Sequence, residues 1–110
     1  MWEYNGAEYE LNVYDATTMD RYEKAFTEMQ TKAQALKPSE SMGENIRAQC
    51  AIFREAFDEV FGENVGAAIT GGKDDLLVCM DAAESLIRHV TDQGRAMNRF
   101  IDKFAPRKRK

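Results

Sequence analysis

The stretch from Ser41 to Gly62 constrains the fold of this chain more than any other feature. Ser41 and Glu44 stand at the spacing of a capping box, in which the hydroxyl and the carboxylate each bond a free backbone N–H at the start of a helix. Gly62 is the type of residue that commonly ends a helix. Between them, apolar side chains recur at helical spacing, at Ile46, Cys50, Phe53, Phe57 and Val60. The pattern predicts an amphipathic helix over 42–61, and its aromatic stripe must be covered by other helices.

The composition is that of a folded protein. Of 110 residues, 44% are hydrophobic and 31% are charged, which predicts one domain over 1–104 instead of a disordered chain. No apolar run approaches the ~20 residues that a membrane-spanning helix needs, and the N-terminus has no signal-peptide core. We therefore expect a cytosolic protein that does not contact a membrane. Cys50 and Cys79 lie on the apolar sides of predicted helices, so we expect two buried thiols.

The N-terminal segment predicts a β-hairpin over 2–13. Asn5-Gly6 is a strong hairpin signal, because a type I′ turn needs positive φ at both of its central positions. The turn would pair Trp2 with Tyr9 and place an aromatic face on one side of the ribbon. A two-stranded ribbon alone is marginal in water. We therefore expect this face to pack on the helices, the alternative being that its edge pairs with another subunit.

Three further helices are predicted around the central one. Asp15 or Thr17 caps a helix over 17–36, which the Lys37-Pro38 pair ends. Apolar side chains then mark helices over 75–93 and 95–104, and Gly94 stands between them. At Gly94 the chain could end a helix, bend or continue, but an unbroken helix would be roughly 45 Å long, more than a chain of this size can cover. The fold class is thus mainly α (α+β), with an N-terminal hairpin and three to four packed helices, followed by a basic, flexible tail over 105–110.

Residues with catalytic potential are sparse. The glycine-rich segment over 63–72 lacks the Gly-Lys-Ser/Thr ending of a phosphate-binding loop, and no strand leads into it. His89 is the single histidine, and Cys79 is too far from it along one helix to form a dyad. Cys50 could meet His89 across helices but has no evident group to orient it. We expect no enzyme, no cofactor and no metal site.

Charge divides the chain into two parts of opposite sign. Residues 1–87 hold 7 basic and 17 acidic side chains, a balance of −10, whereas residues 88–110 hold 8 basic and 2 acidic ones, a balance of +6. Such polarity suits head-to-tail association or docking of the basic end on an acidic partner, or it is only a solubilising end. Nucleic acid is the runner-up partner, but the acidic body and the absence of a helix-turn-helix argue against it.

The C-terminal end supplies the candidate partner-binding residues. An apolar stripe at helical spacing precedes the basic tail, and the candidates are Met97, Phe100, Ile101, Phe104, Arg107, Lys108, Arg109 and Lys110. The alternative for the four apolar residues is an ordinary core role in a fourth packed helix.

Three runs of sequence carry a resemblance to a known class of proteins. They are Y-N-G-A-E-Y-E-L-N-V-Y-D-A-T-T-M-D-R-Y-E-K-A-F, I-R-A-Q-C-A-I-F-R-E-A-F-D-E-V-F-G-E and G-G-K-D-D-L-L-V-C-M-D-A-A-E-S-L-I. The chain resembles small proteins of siphophages and prophages of Gram-positive bacteria, encoded in the tail module upstream of the tape measure gene and interpreted as tail assembly chaperones. The resemblance covers about residues 4–90, so the stretch from Gly94 onward lies outside it.

The resemblance implies a non-enzymatic protein of the host cytoplasm. It would self-associate, escort the long helical tape measure protein while tail tube subunits polymerise around it, and then leave before the virion is finished. The tape measure protein and the tail tube protein are the partners that it implies. Two alternatives stay open: a small phage regulator that binds nucleic acid through the basic tail, and a structural tail or head-completion protein.

Overall fold

Two short strands and four helices follow one another along the chain. The computed structural model describes residues 1–104, and the predicted tail over 105–110 lies outside them. The elements are β1 (Trp2–Tyr4), β2 (Ala7–Tyr9), α1 (Ala16–Ala35), α2 (Met42–Phe61), α3 (Val65–Thr70) and α4 (Leu76–Phe104). This order confirms the mainly α fold class with an N-terminal hairpin.

The hairpin has the predicted register. Trp2 pairs with Tyr9 across the antiparallel ladder, and Asn5 and Gly6 have φ of 53° and 84°, as a type I′ turn requires. The hairpin is shorter than the predicted 2–13. Because β1 begins at Trp2, which pairs with Tyr9, residues after Tyr9 have no strand residue opposite them. The chain after Tyr9 stays in contact with the body all the same, since Leu11 is buried.

The helix starts follow the sequence closely. The Asp15 carboxylate accepts from the Thr18 N–H at 2.9 Å, and the Ser41 hydroxyl accepts from the Glu44 N–H at 3.2 Å. The second half of the expected capping box differs: the Glu44 carboxylate accepts from the hydroxyl of Ser39 at 3.2 Å. Ser39 therefore takes the bond that the backbone N–H of Ser41 was expected to make, and that N–H donates to the Ser39 hydroxyl instead.

α2 lies at the centre of the molecule. α1, α3 and α4 all pack against it, and Trp2 of the hairpin stacks on the rings of Phe57 and Phe61. Trp2 and Phe57 are fully buried, so the hairpin closes one end of the helical core. Its aromatic face thus packs on the helices.

A close approach of backbones fixes α3 on α2. A Cβ atom built on Gly66 would lie 2.3 Å from the carbonyl oxygen of Arg54, so only glycine fits there. The Asp58 carboxylate accepts from the Gly66 N–H at 2.6 Å and holds the start of the short helix. The segment after Gly62 therefore packs as one helical turn and a connector.

α4 is a single helix, where the sequence predicted two, over 75–93 and 95–104. Gly94 costs only about 1 kcal/mol of helix propensity, and with no proline beside it the backbone hydrogen bonds continue through it. At ~1.5 Å per residue the helix is roughly 44 Å long. The rest of the described chain does not cover α4 along its whole length, since Phe100 and Ile101 near its end are 64% and 40% exposed.

Candidate partner-binding surface

The apolar face of α4 is buried at one end of the helix and exposed at the other. Ala82 and Phe100 point in the same direction from the helix axis, because residues eighteen apart are five helical turns apart. Ala82 is 0% exposed, whereas Phe100 is 64% exposed. Ile101 is 40% exposed, although it shares the direction of Ala83, which is 5% exposed. The helix keeps apolar side chains in these directions, but the other elements no longer cover them at this end of α4.

The N-terminal segment makes side-chain hydrogen bonds to α4 as far along the helix as Gln93. The Trp2 indole N–H donates to the Ser85 hydroxyl at 3.2 Å, and the Tyr4 hydroxyl donates to the Asp81 carboxylate at 2.7 Å. Further along α4, the Tyr14 hydroxyl donates to the side-chain carbonyl of Gln93 at 3.1 Å. Gln93 directly precedes Gly94, so we call residues 94–104 the α4 overhang.

The overhang contains the apolar residues that the sequence singled out. Met97 is half-buried, Phe100 and Ile101 are exposed, and Phe104 is the last residue of α4. The four basic candidates over 107–110 lie outside the described residues. The candidate set is thus partly placed, and Met97, Phe100 and Ile101 share one side of the helix.

Basic side chains occupy the other side of the overhang. Arg95, Arg99 and Lys103 are spaced four apart, and all three are exposed. At 100° per residue Arg95 and Arg99 lie on the side of the helix away from the stripe formed by Met97 and Phe100, and Lys103 borders that stripe next to Phe100. The overhang is therefore an amphipathic, cationic helix end.

A groove between α1 and α4 is a second apolar surface. Both helices pack mainly against α2, which leaves a gap of about 490 Å³ between them. Its lining consists of Tyr22, Glu23, Phe26, Thr27, Met29, Gln30 and Ile87. We call it the α1–α4 groove.

Helical periodicity does not predict this groove. Tyr22, Phe26 and Met29 belong to the apolar seam of α1, and Ile87 belongs to that of α4, so periodicity predicts all four as core. In the structure the three α1 residues are half-buried and Ile87 is 44% exposed. The one signal in the sequence is the width of the apolar seam of α1, which is more than a single neighbouring helix can cover.

Exposed apolar side chains extend the groove side of α4. Met80 precedes Ile87 by seven residues and is exposed in the same row. Leu77 is 75% exposed, but it lies further round the helix, away from the stripe of the overhang. Leu77 is thus a useful reference for an exposed apolar residue outside both surfaces.

Burial shifts the pKa of two titratable side chains, Cys79 and His89. Cys50 and Cys79 are both buried with their thiols in contact, and burial raises the pKa of the Cys79 thiol. Burial also lowers the pKa of His89, which lines a cavity with residues of the N-terminal segment. A thiol kept protonated is a poor nucleophile, so burial disfavours Cys79 as a nucleophile.

The hydroxyl of Tyr4 is the most perturbed group between the hairpin and α4. Burial, with the hydrogen bond to the Asp81 carboxylate, raises the pKa of Tyr4 to about 12. The neutral phenol therefore holds the hairpin on α4 throughout the physiological pH range.

Residues 1–104 contain no candidate metal site and no candidate membrane-spanning helix. In this part of the chain no group of three or more His, Cys, Asp or Glu side chains could hold a metal ion. None of the helices described here combines the length and the apolar character needed to cross a membrane.

Comparison with known proteins places the chain in one group. A protein-family model matches residues 5–110, and its description is "Family of unknown function (DUF6673)". No curated protein and no solved structure matches the chain. The match includes the overhang and both faces of the groove.

Proposed function

This chain belongs to the family of unknown function DUF6673, and we propose that it is a non-enzymatic phage tail assembly chaperone. It self-associates, and it escorts the tape measure protein while tail tube subunits polymerise around that protein. It acts in the cytoplasm of the bacterial host and is absent from the finished virion. The resemblance of residues 4–90 to tail-module proteins supports this role, and so does the overhang.

The observation that carries the proposal is the exposed apolar patch on the last turns of α4. Phe100 and Ile101 continue the directions of the buried Ala82 and Ala83 but are 64% and 40% exposed, and an exposed apolar patch beside charged residues is typical of an interaction surface. Apolar residues at helical spacing recognise another amphipathic helix through contacts at i, i+3, i+4 and i+7. The tape measure protein is long, helical and apolar, which makes it a fitting occupant.

The test is co-expression of the chain with the tape measure protein encoded beside it. Size-exclusion chromatography with light scattering then reports whether the two proteins elute together. We expect co-elution for the wild-type chain and a loss of at least about tenfold in affinity for the Phe100→Ser, Ile101→Ser double variant, because two anchor side chains are removed.

Leu77→Ser is the matched control. It also removes an exposed apolar side chain of α4, but one that lies away from the stripe, so it should leave binding unchanged. A wild-type chain that never co-elutes with the tape measure protein, or a control that binds as poorly as the double variant, would contradict the proposal.

The second candidate function is nucleic-acid binding by the basic end. The charge balance of +6 over 88–110 favours it, with Arg95, Arg99 and Lys103 exposed on one side of α4. Retention on DNA that falls steeply with salt, and that is lost when residues 107–110 are removed, would support it. Detection of the chain in purified virions by mass spectrometry would instead favour a structural tail or head-completion protein.

A further inference from the structure

We propose that the α1–α4 groove of one copy receives the α4 overhang of a second copy. The chaperone would then keep its own partner-binding stripe covered until the partner displaces it. This competition rests on the proposed function, whereas the contact between the two copies stands without it.

The two surfaces match in chemistry and in length. The groove is apolar at Tyr22, Phe26, Met29 and Ile87, and the overhang brings an apolar stripe of its own. At ~1.5 Å per residue, the groove segment of α1 from Tyr22 to Gln30 and the overhang are each roughly 13–16 Å long. One short helix end therefore fits along the groove.

A chain cannot place its overhang in its own groove. Ile87 forms one wall of the groove, and the overhang continues the same straight helix away from it. From Ile87 to Ile101 the helix advances by roughly 21 Å. A fold-back at Gly94 would bring the stripe to the groove within one chain, but the helix runs through Gly94 without a break. An overhang that fills the groove therefore comes from another copy.

Charge selects the groove over a second overhang. Residues 94–104 of the overhang hold three basic side chains and one acidic one, a balance of +2, whereas Glu23 is the one charged residue in the lining of the groove. The attraction acts mainly between whole surfaces, because Arg95 and Arg99 lie on the side of the overhang away from its stripe. Two overhangs side by side would instead bring like charges together.

The exchange can be reciprocal. If each copy gives its overhang and receives the other's, the interface has two-fold symmetry and closes as a dimer. Each copy then covers both of its apolar surfaces at once, which removes the exposed patches that the isolated chain carries.

Disulfide trapping between two variants tests the contact directly. Thr27→Cys places a thiol in the groove, and Asn98→Cys places one beside the stripe of the overhang, while the native Cys50 and Cys79 are fully buried. Under mild oxidation we expect the mixture of the two variants to give an interchain dimer on non-reducing gels. Arg21→Cys is the control, since it is exposed on α1 outside the groove lining and should not cross-link to Asn98→Cys.

Other products would overturn the inference. Efficient cross-linking of Asn98→Cys with itself would show overhang against overhang. A strict monomer by light scattering at all concentrations would show that no second copy binds. Gly94→Ala distinguishes the dimer from a fold-back of the overhang within one chain. The added Cβ meets nothing within 4 Å and stiffens the helix, so the variant should preserve the dimer and hinder a fold-back.

Ile87→Lys separates this inference from the proposed function. It places a charge in the groove and leaves the overhang intact, so we expect at least a tenfold weaker dimer with unchanged or tighter binding of the tape measure protein. A dimer that persists in Ile87→Lys would overturn the groove as the docking site. A wild-type chain that forms the dimer but does not bind the tape measure protein would overturn only the proposed function.

Discussion

The two ends of α4 differ in burial although they share one helix and one apolar face. Around Leu86 the face is buried in the core cluster that contains Trp2 and Phe57, whereas Phe100 is 64% exposed. Apolar side chains on one face of α4 thus stabilise the fold at one end of the helix and form part of the solvent-exposed surface at the other. Helical periodicity specifies the face, and the length of the neighbouring elements determines where that face becomes a surface.

The largest expected effect is at the buried end. Leu86→Ala removes a fully buried side chain between α2 and α4, and we expect a loss of about 2–5 kcal/mol in the free energy of unfolding. Urea unfolding followed by circular dichroism measures it. A loss below about 1 kcal/mol would mean that Leu86 is not packed as described, and the two ends of α4 would then not differ in burial.

The hairpin contact gives a smaller effect with a pH signature. Tyr4→Phe removes the hydrogen bond to Asp81 and should cost about 0.5–1.5 kcal/mol at neutral pH. Because the folded pKa of Tyr4 is raised to about 12, its stabilisation is present below the unfolded value near 10 and is lost as pH rises from about 10 towards 12. The difference in urea midpoint between wild type and Tyr4→Phe should therefore shrink above pH 10. A difference that is constant with pH would contradict this assignment.

The junction between the two ends is Gly94. Gly94→Ala should raise the helix content and the free energy of unfolding by up to about 1 kcal/mol, because alanine loses less backbone entropy in a helix and meets no neighbour. Circular dichroism at 222 nm and urea unfolding report the two quantities. A destabilising Gly94→Ala would show that the chain needs a bend there.

The smallest effect is expected at the open end. Phe100→Ser should change the free energy of unfolding of the isolated monomer by no more than about 0.5 kcal/mol, because phenylalanine and serine have similar helix propensities and the ring is mostly exposed. Dilution below the self-association range keeps the measurement on the monomer. A loss comparable to that of Leu86→Ala would make Phe100 a core residue.

Much of the fold could be predicted from local sequence. The Asn5-Gly6 turn specified the hairpin register, because only residues that tolerate positive φ fit a type I′ turn. Asp15 and Ser41 specified two helix starts, because their side chains bond backbone N–H groups three residues later. These interactions span a few residues, so the pattern alone contains them.

The candidate site was predicted only in part. The stripe of Met97, Phe100 and Ile101 follows from helical spacing, but the same spacing allowed a fourth packed helix. Whether Gly94 bends depends on a balance between a helix cost of about 1 kcal/mol and the burial that a fold-back would gain, and periodicity reports neither. The groove was missed because it forms between α1 and α4, which are far apart in sequence.

The sequence by itself determined the elements of this protein: where the hairpin turns, where α1 and α2 begin, and which face of each helix is apolar. These follow from the conformational preferences of single residues and from hydrogen bonds between near neighbours. Only the tertiary structure decided that α4 continues through Gly94 and that α1 and α4 leave a groove between them. It also decided that the apolar face of α4 extends beyond Gln93, where the last hydrogen bond from the N-terminal segment is made. Those outcomes depend on how far each element reaches along its neighbour, because burial is a property of the assembled surfaces and not of any one helix.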